Sequence, residues 1–400
     1  MKRSFIFIAF IINAGMLLGQ SSAEYIMRAR AYTESSKYDE AVSVLTEATA
    51  TFHESRLFIE RAEAYILKGD YTMAIADFNM ANSNTPGSGE YGLARIYALK
   101  SNPATAVYHL QICLKSSFKK SEKEILLDPA FNLIENTPEW RQFWKNDWYD
   151  NYEKGFSEIE YDISTGNIDD AKSTLNNLTG IYSERSGNAY AGALISFAEG
   201  KYPEAVKALS GLLSTEPTNE KYLRLLAKTQ EASGNPAGAS STYSKLLDLG
   251  VPDAGLLLMR AQAFKKTGEN DKAAADIEKF LSFYPDNKKA LSSAGRIEAA
   301  SGDNLKALEY FSRNLKLHPN DADCYTDRAN SYFISKSWDL AIKDYSMALD
   351  IQPDNPDVWL NKGISLLSKG LTDDACHDFR MAFDQGNRKA TEYLSRNCIR

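Results

Sequence analysis

Apolar residues along this chain fall at helical spacing, and the pattern repeats every 34 residues. Alanine marks the period most clearly, at Ala171, Ala205, Ala239, Ala273, Ala307, Ala341 and Ala375, with no insertion or deletion between them. Taking that alanine as position 20 gives seven full units, starting at Tyr152, Ser186, Glu220, Ala254, Lys288, Ala322 and Pro356. Three looser units precede them, with Ala41, Ala74 and Ala106 at the same place. Position 8 is small in all but one unit, as in Ala193, Ala227, Ala261, Gly295, Ala329 and Gly363, with Ile159 the exception. Position 24 is large and apolar, as in Phe78, Leu110, Tyr243, Phe311, Tyr345 and Phe379. Two small residues per unit, one on each of two helices, let paired backbones approach closely. A bulky side chain at either would overpack the contact and cost about 1–3 kcal/mol.

Breakers keep the same register. Gly69, Gly166, Gly200, Gly234, Gly268, Gly302 and Gly370 occupy position 15, where the chain must turn between the two helices. Pro217, Pro285, Pro319 and Pro353 occupy position 32 and stop the second helix. Asn355–Pro356 supplies an N-cap followed by proline at the first helical position, and Asn235–Pro236 does the same before a second helix. A 34-residue helix–turn–helix unit predicts an all-α solenoid, in which each unit touches only its neighbours.

Trp359, Gly363, Gly370, Ala375, Phe379 and Ala382, and equally Tyr325, Ala329, Tyr332, Ala341, Tyr345, Ala348 and Pro353, resemble the tetratricopeptide repeat signature. The resemblance covers residues 22–115 and 152–389. It implies a right-handed superhelix of about ten antiparallel helix pairs, whose first helices line a concave groove that takes peptides or partner proteins. Fold alone does not name the partner.

The expected organisation is an export segment over 1–21, three repeats over 22–115, an insertion over 116–151, seven repeats over 152–389 and a capping helix over 390–400. The export reading rests on Lys2 and Arg3, an apolar run from Phe5 to Leu18, and the small or polar Gly19–Ala23 exit. The run has 14 residues, short of the roughly 20 a membrane span needs. Cleavage between Gly19 and Ala23 would leave a periplasmic or secreted protein with no membrane span; the alternative is an uncleaved anchor. The formal charge of −7 speaks against a general nucleic-acid binder.

The insertion opens on Thr137–Pro138–Glu139, a helix start. Trp140, Trp144 and Trp148 follow at spacings that put all three on one helical face. Such a face is either an aromatic platform for a partner or an apolar stripe packed in the core, and helical spacing of aromatics favours the core.

Catalytic and metal chemistry is not visible. His53, His109, His318 and His377 lie in different repeats, without an acid and nucleophile arranged around any of them, and no phosphate-cradling loop precedes a lysine. No cofactor or metal is expected. Binding chemistry is sought in the groove, on first-helix positions 2, 5, 9 and 12. Lys221, Arg224 and Lys228 share one face there, with Lys289 and Arg296 two repeats on and Tyr190, Leu194 and Phe197 at the matching apolar places. Basic beside apolar suits an extended segment with a hydrophobic anchor and a carboxylate-rich stretch; the alternative is a solvated basic face. The expected function is a non-enzymatic protein–protein interaction scaffold of the cell envelope. The competing reading is an accessory or hydrolytic factor whose site is hidden in the sequence.

Four cysteines are too few for a disulfide framework. Cys376 and Cys398 flank the Gln385–Gly386–Asn387 turn by ten and twelve residues from Gly386, so antiparallel helices would bring them level to within a turn. The segment also resembles a C-terminal pattern in envelope tetratricopeptide proteins of Gram-negative bacteria. A disulfide is the expectation and two free thiols the alternative.

Overall fold

The computed structural model describes residues 21–398, so the expected export segment before Ser21 lies outside the described residues. Every regular element among the described residues is helical. The helices divide into two compact units: one runs to Lys154 and includes Gly250–Pro252, and the other comprises Gly155–Leu249 and Asp253 onward.

In the first unit three antiparallel pairs follow one another: Ser22–Glu34 with Tyr38–Thr51, Ser55–Lys68 with Tyr71–Asn84, and Glu90–Leu99 with Pro103–Leu114. In the second unit pairs run from Ser186–Ala198 with Tyr202–Thr215 through to Pro356–Ser368 with Thr372–Asp384, capped by Ala390–Asn397. Each helix from Ser186 onward packs on the ones before and after it. First helices of consecutive repeats also touch, as Lys288–Ser301 does with Ala322–Ile334.

Local chemistry sets this register. All seven position-20 alanines are fully buried. At position 8, a Cβ on Gly295 would stand 2.4 Å from the Phe311 ring, and one on Gly363 would stand 2.7 Å from Phe379. The small residue is therefore the socket for the large position-24 ring of the same pair. At position 15 Gly302 turns the chain at φ 89°. Where glycine is missing at that place, Ser36, Ser101 and Lys336 adopt the same left-handed conformation at φ 57°, 53° and 59°. The turn is thus imposed by the repeat and not by the glycine.

The insertion corrects one expectation. Its helix is only Pro138–Phe143, so Trp144 caps it and Trp148 lies beyond it. The Asn146 side chain donates to the Phe143 carbonyl at 3.1 Å and Trp148 Nε1–H to the same oxygen at 2.8 Å. Those side-chain donors take the acceptor that a further helical turn would have used. Trp140 is buried with Phe131, Phe143 and Tyr149 against Ala94, Ala106 and Leu110 of the third repeat, and Trp144 and Trp148 pack on that cluster half-buried. The aromatic face is core.

Candidate binding groove

First-helix positions 5, 9 and 12 of adjacent repeats face one another, and cavities open between them in both units. In the first unit one of 170 Å³ lies between the first two repeats, beside Arg30, Thr33, Glu60 and Glu63. A second, of 560 Å³, lies between the second and third repeats, with Lys119, Lys120 and Glu124 of the insertion closing one side. In the second unit a 350 Å³ cavity lies between the Lys288 and Ala322 repeats, beside Arg296, Thr326, Asp327 and Asn330.

Each cavity has an arginine at position 9 bound to a carboxylate of an adjacent repeat. Arg30 pairs with Glu60, with Nε 3.1 Å from Oε2. Arg95 Nη1 donates to both oxygens of Glu63 at 2.6 and 2.7 Å, while its Nε lies 3.0 Å from Asp128 of the insertion. Arg296 places Nε 2.9 Å and Nη2 2.8 Å from Asp327 Oδ1. Of the pairing carboxylates Asp327 is buried while Glu60 and Glu63 are partly exposed, and charge-assisted bonds of this kind are the stronger class.

The anticipated groove residues divide by environment. Tyr190 is buried between Phe156 and Tyr222, ring centroids 6.3 and 5.2 Å away, and Leu194 and Phe197 pack half-buried on the same cluster. This corrects the expectation of an open apolar anchor site: consecutive first helices stack their aromatic rings on one another. The basic set is largely matched by resident acids. Lys221 lies over the Tyr190 ring at 4.6 Å and 3.4 Å from Glu160, and Arg224 binds Glu220 and Asp253, each at 2.8 Å. Lys228 and Lys289 are exposed and form no ion pair among the described residues. Arg296 alone of the anticipated residues lines a cavity described above.

The titratable cluster at the larger cavity does not favour acid–base chemistry. Burial, then the hydrogen bond to Asp128, pushes the Tyr91 hydroxyl well above its ordinary range. Burial alone would lower Arg95, but Glu63 and Asp128 outweigh it and hold the guanidinium above its usual value. Burial would raise Glu124, but the Ser121 backbone N–H and Lys120 outweigh it and hold the carboxyl below the usual range. Each shift moves the group's pKa further from pH 7, so each keeps its ordinary protonation state there, whereas a catalytic group needs a value near the working pH.

Glu90 does face a histidine, which the sequence did not reveal: His109 Nδ1 is 2.7 Å from Glu90 Oε2, and Asn82 holds the other oxygen at 2.8 Å. The nearby Cys113 is buried and its thiol is pushed up by burial, so it is a poor nucleophile. Among the described residues no group of three His, Cys, Asp or Glu is placed to hold a metal ion, and no helix is long and apolar enough to cross a membrane.

Family models described as tetratricopeptide repeats match residues 26–89, 196–263, 258–322 and 329–370. The chain is a tetratricopeptide repeat (TPR) protein. The C-terminal part of a TPR repeat-containing protein from Cytophaga hutchinsonii is similar at 17% identity and TM-score 0.51, over 60% of this chain and 99% of that one. A tetratricopeptide repeat protein from Parabacteroides merdae is similar at 20% identity and TM-score 0.47, over 62% and 99%. At 17% identity the likeness to the Cytophaga hutchinsonii protein shows the fold alone. A search of curated proteins found no match to the chain. TPR proteins are generally non-enzymatic scaffolds for protein–protein interaction, and this chain has their repeats in phase.

Proposed function

We propose that this TPR protein acts outside the cytoplasm, in the cell envelope, and holds an extended segment of a partner protein along its first helices. The observation that carries the binding site is the recurrence of cavities between consecutive first helices, each with a position-9 arginine. Backbone amides and carbonyls of an extended segment need partners along their whole length, and a row of fixed polar side chains supplies them. The export half of the proposal rests on the basic start, apolar run and small-residue exit of residues 1–23.

Panning a displayed random-peptide library against the mature chain tests the site. Binders should be lost on Arg95→Glu or Arg296→Glu and kept on Lys343→Glu, which lies on an exposed second-helix face. Binders that survive both groove variants would move the site elsewhere. Intact-mass measurement of fractionated protein tests export: a chain beginning between Gln20 and Glu24 is expected, and Met1 retained on a cytosolic species would reject it.

A further inference from the structure

The cavity between the Lys288 and Ala322 repeats carries a definite set of unspent hydrogen-bond donors. Asp327, only 5% exposed, accepts from Arg296 Nε and Nη2 on Oδ1 and from the Ser292 hydroxyl on Oδ2. Its charge is already matched. Arg296 Nη1 has no partner among the described residues, and the Arg296 side chain is 56% exposed.

Asn330 on the facing helix is fixed in one orientation. The Tyr345 hydroxyl donates to Asn330 Oδ1 at 2.7 Å. With Oδ1 so engaged, Asn330 Nδ2 has no partner among the described residues, and Asn330 lines the cavity. Around these donors Ala299, Ala300 and Ile334 form an apolar wall.

We infer that this cavity selects an uncharged extended segment, seating an apolar side chain against Ala300 and Ile334 while backbone carbonyls accept from Asn330 Nδ2 and Arg296 Nη1. The inference rests on the groove reading above and narrows it. An acidic segment would bring a second carboxylate beside Asp327 to a guanidinium whose charge is already matched. A basic one would face Arg296. A carbonyl uses the free donors without adding charge, and 350 Å³ is at the small end of sites that enclose a ligand group.

Fluorescence anisotropy with three labelled, end-capped decapeptide mixtures tests this on the full mature chain. Each mixture has a central Leu in a Ser/Thr/Gly/Gln background, with Asp/Glu added to the second and Lys/Arg to the third. The neutral mixture should bind, with little change from low to high salt because no net charge is screened. Asn330→Asp, which still accepts from Tyr345, should weaken it about tenfold. Ala300→Phe should abolish it by filling the cavity, with circular dichroism unchanged. If the acidic or basic mixture binds best and Arg296→Glu removes it, the groove reading stands and this inference falls. If no mixture binds, or binding survives Asn330→Asp, Ala300→Phe and Arg296→Glu alike, both fall.

Discussion

Arg328 grips Asp344 within one helix pair, with Nε 2.7 Å from Oδ2 and Nη2 2.9 Å from Oδ1. The two occupy positions 7 and 23 of the repeat, so the ion pair ties the first helix to the second. Arg61–Asp77 and Arg260–Asp276 repeat it, and Lys362–Asp378 is a looser form at 3.4 Å. Asp344 is 2% exposed. Arg328→Ala should therefore leave a buried carboxylate uncompensated and cost about 3 kcal/mol. The double variant Arg328→Met/Asp344→Leu should recover most of that loss. Urea titration checks both; a double variant as unstable as the single one would mean that packing, not the stranded charge, sets the cost.

That pair shows where sequence reading stops. Alanine period, position-15 turns, proline stops and N-caps are local signals and each kept its register in the structure. Positions 7 and 23 lie 16 residues apart, beyond any single helical face, and only four repeats carry both partners, so averaging over repeats hides them. Glu90 and His109 are separated similarly, by 19 residues. The insertion misled for a different reason. Helical spacing of its tryptophans was present, but Asn146 and Trp148 side chains end the helix at Phe143, and such capping competes with periodicity without altering it. Groove charges were legible as residues, yet their neutralisation was not, because Glu160 and Asp327 come from other repeats and Asp253 from the far end of the repeat that carries Arg224.

Gly295→Ala tests the socket beneath Phe311. Its added Cβ would meet ring atoms at 2.4, 2.6 and 2.7 Å, and a fully buried ring has little room to move. Helix propensity favours alanine by about 1 kcal/mol, but overpacking opposes it by about 1–3 kcal/mol. A net loss in denaturant midpoint is expected, as for Ala307→Leu on the facing helix, while exposed Glu309→Ala should change little. A stabilised Gly295→Ala would show that the ring yields.

Lys336 provides the opposite case, a substitution that should stabilise. It holds a left-handed backbone at φ 59° where seven other repeats have glycine. A non-glycine residue costs about 1–2 kcal/mol there, partly offset by the greater unfolded-state freedom of glycine. Lys336→Gly is expected to gain up to about 1 kcal/mol, read as a higher melting temperature. Gly302→Ala should lose a similar amount.

Asp321 gives a pH dependence with a definite sign. Burial would raise its carboxyl, but the Lys288 ammonium and the backbone N–H groups of Cys324 and Asp323 outweigh it and hold it below the usual range. A depressed folded value means that this stabilisation is complete above the unfolded carboxylate pKa near ~4. It is lost as pH falls through the folded value. Asp321→Asn should keep the N-cap and lose the ion pair, a cost under about 1 kcal/mol at pH 7 because the pair is partly exposed. The gap between wild type and variant should close on acidification below pH ~4. A gap that widened instead would reverse the sign of the linkage.

Cys376 and Cys398 are joined by a disulfide, with their Cα atoms 5.6 Å apart and a sequence separation of 22. The bond fastens Ala390–Asn397, eight residues and far too short to persist alone. That helix buries Ala390 and stacks Tyr393 on Phe379 at 4.9 Å, closing the apolar end of the last repeat. Closing a loop of this length stabilises by about 3 kcal/mol in the chain-entropy account. Cys376→Ser/Cys398→Ser should therefore lower the unfolding free energy by up to that amount. Amide exchange should rise first within 390–397, before any change in the preceding repeats, because each repeat in such an array is held only by its neighbours. Uniform loss of protection across the second unit would instead make the staple a support for the whole array. Non-reducing peptide mapping that recovered both cysteines as free thiols from oxidised protein would remove the premise.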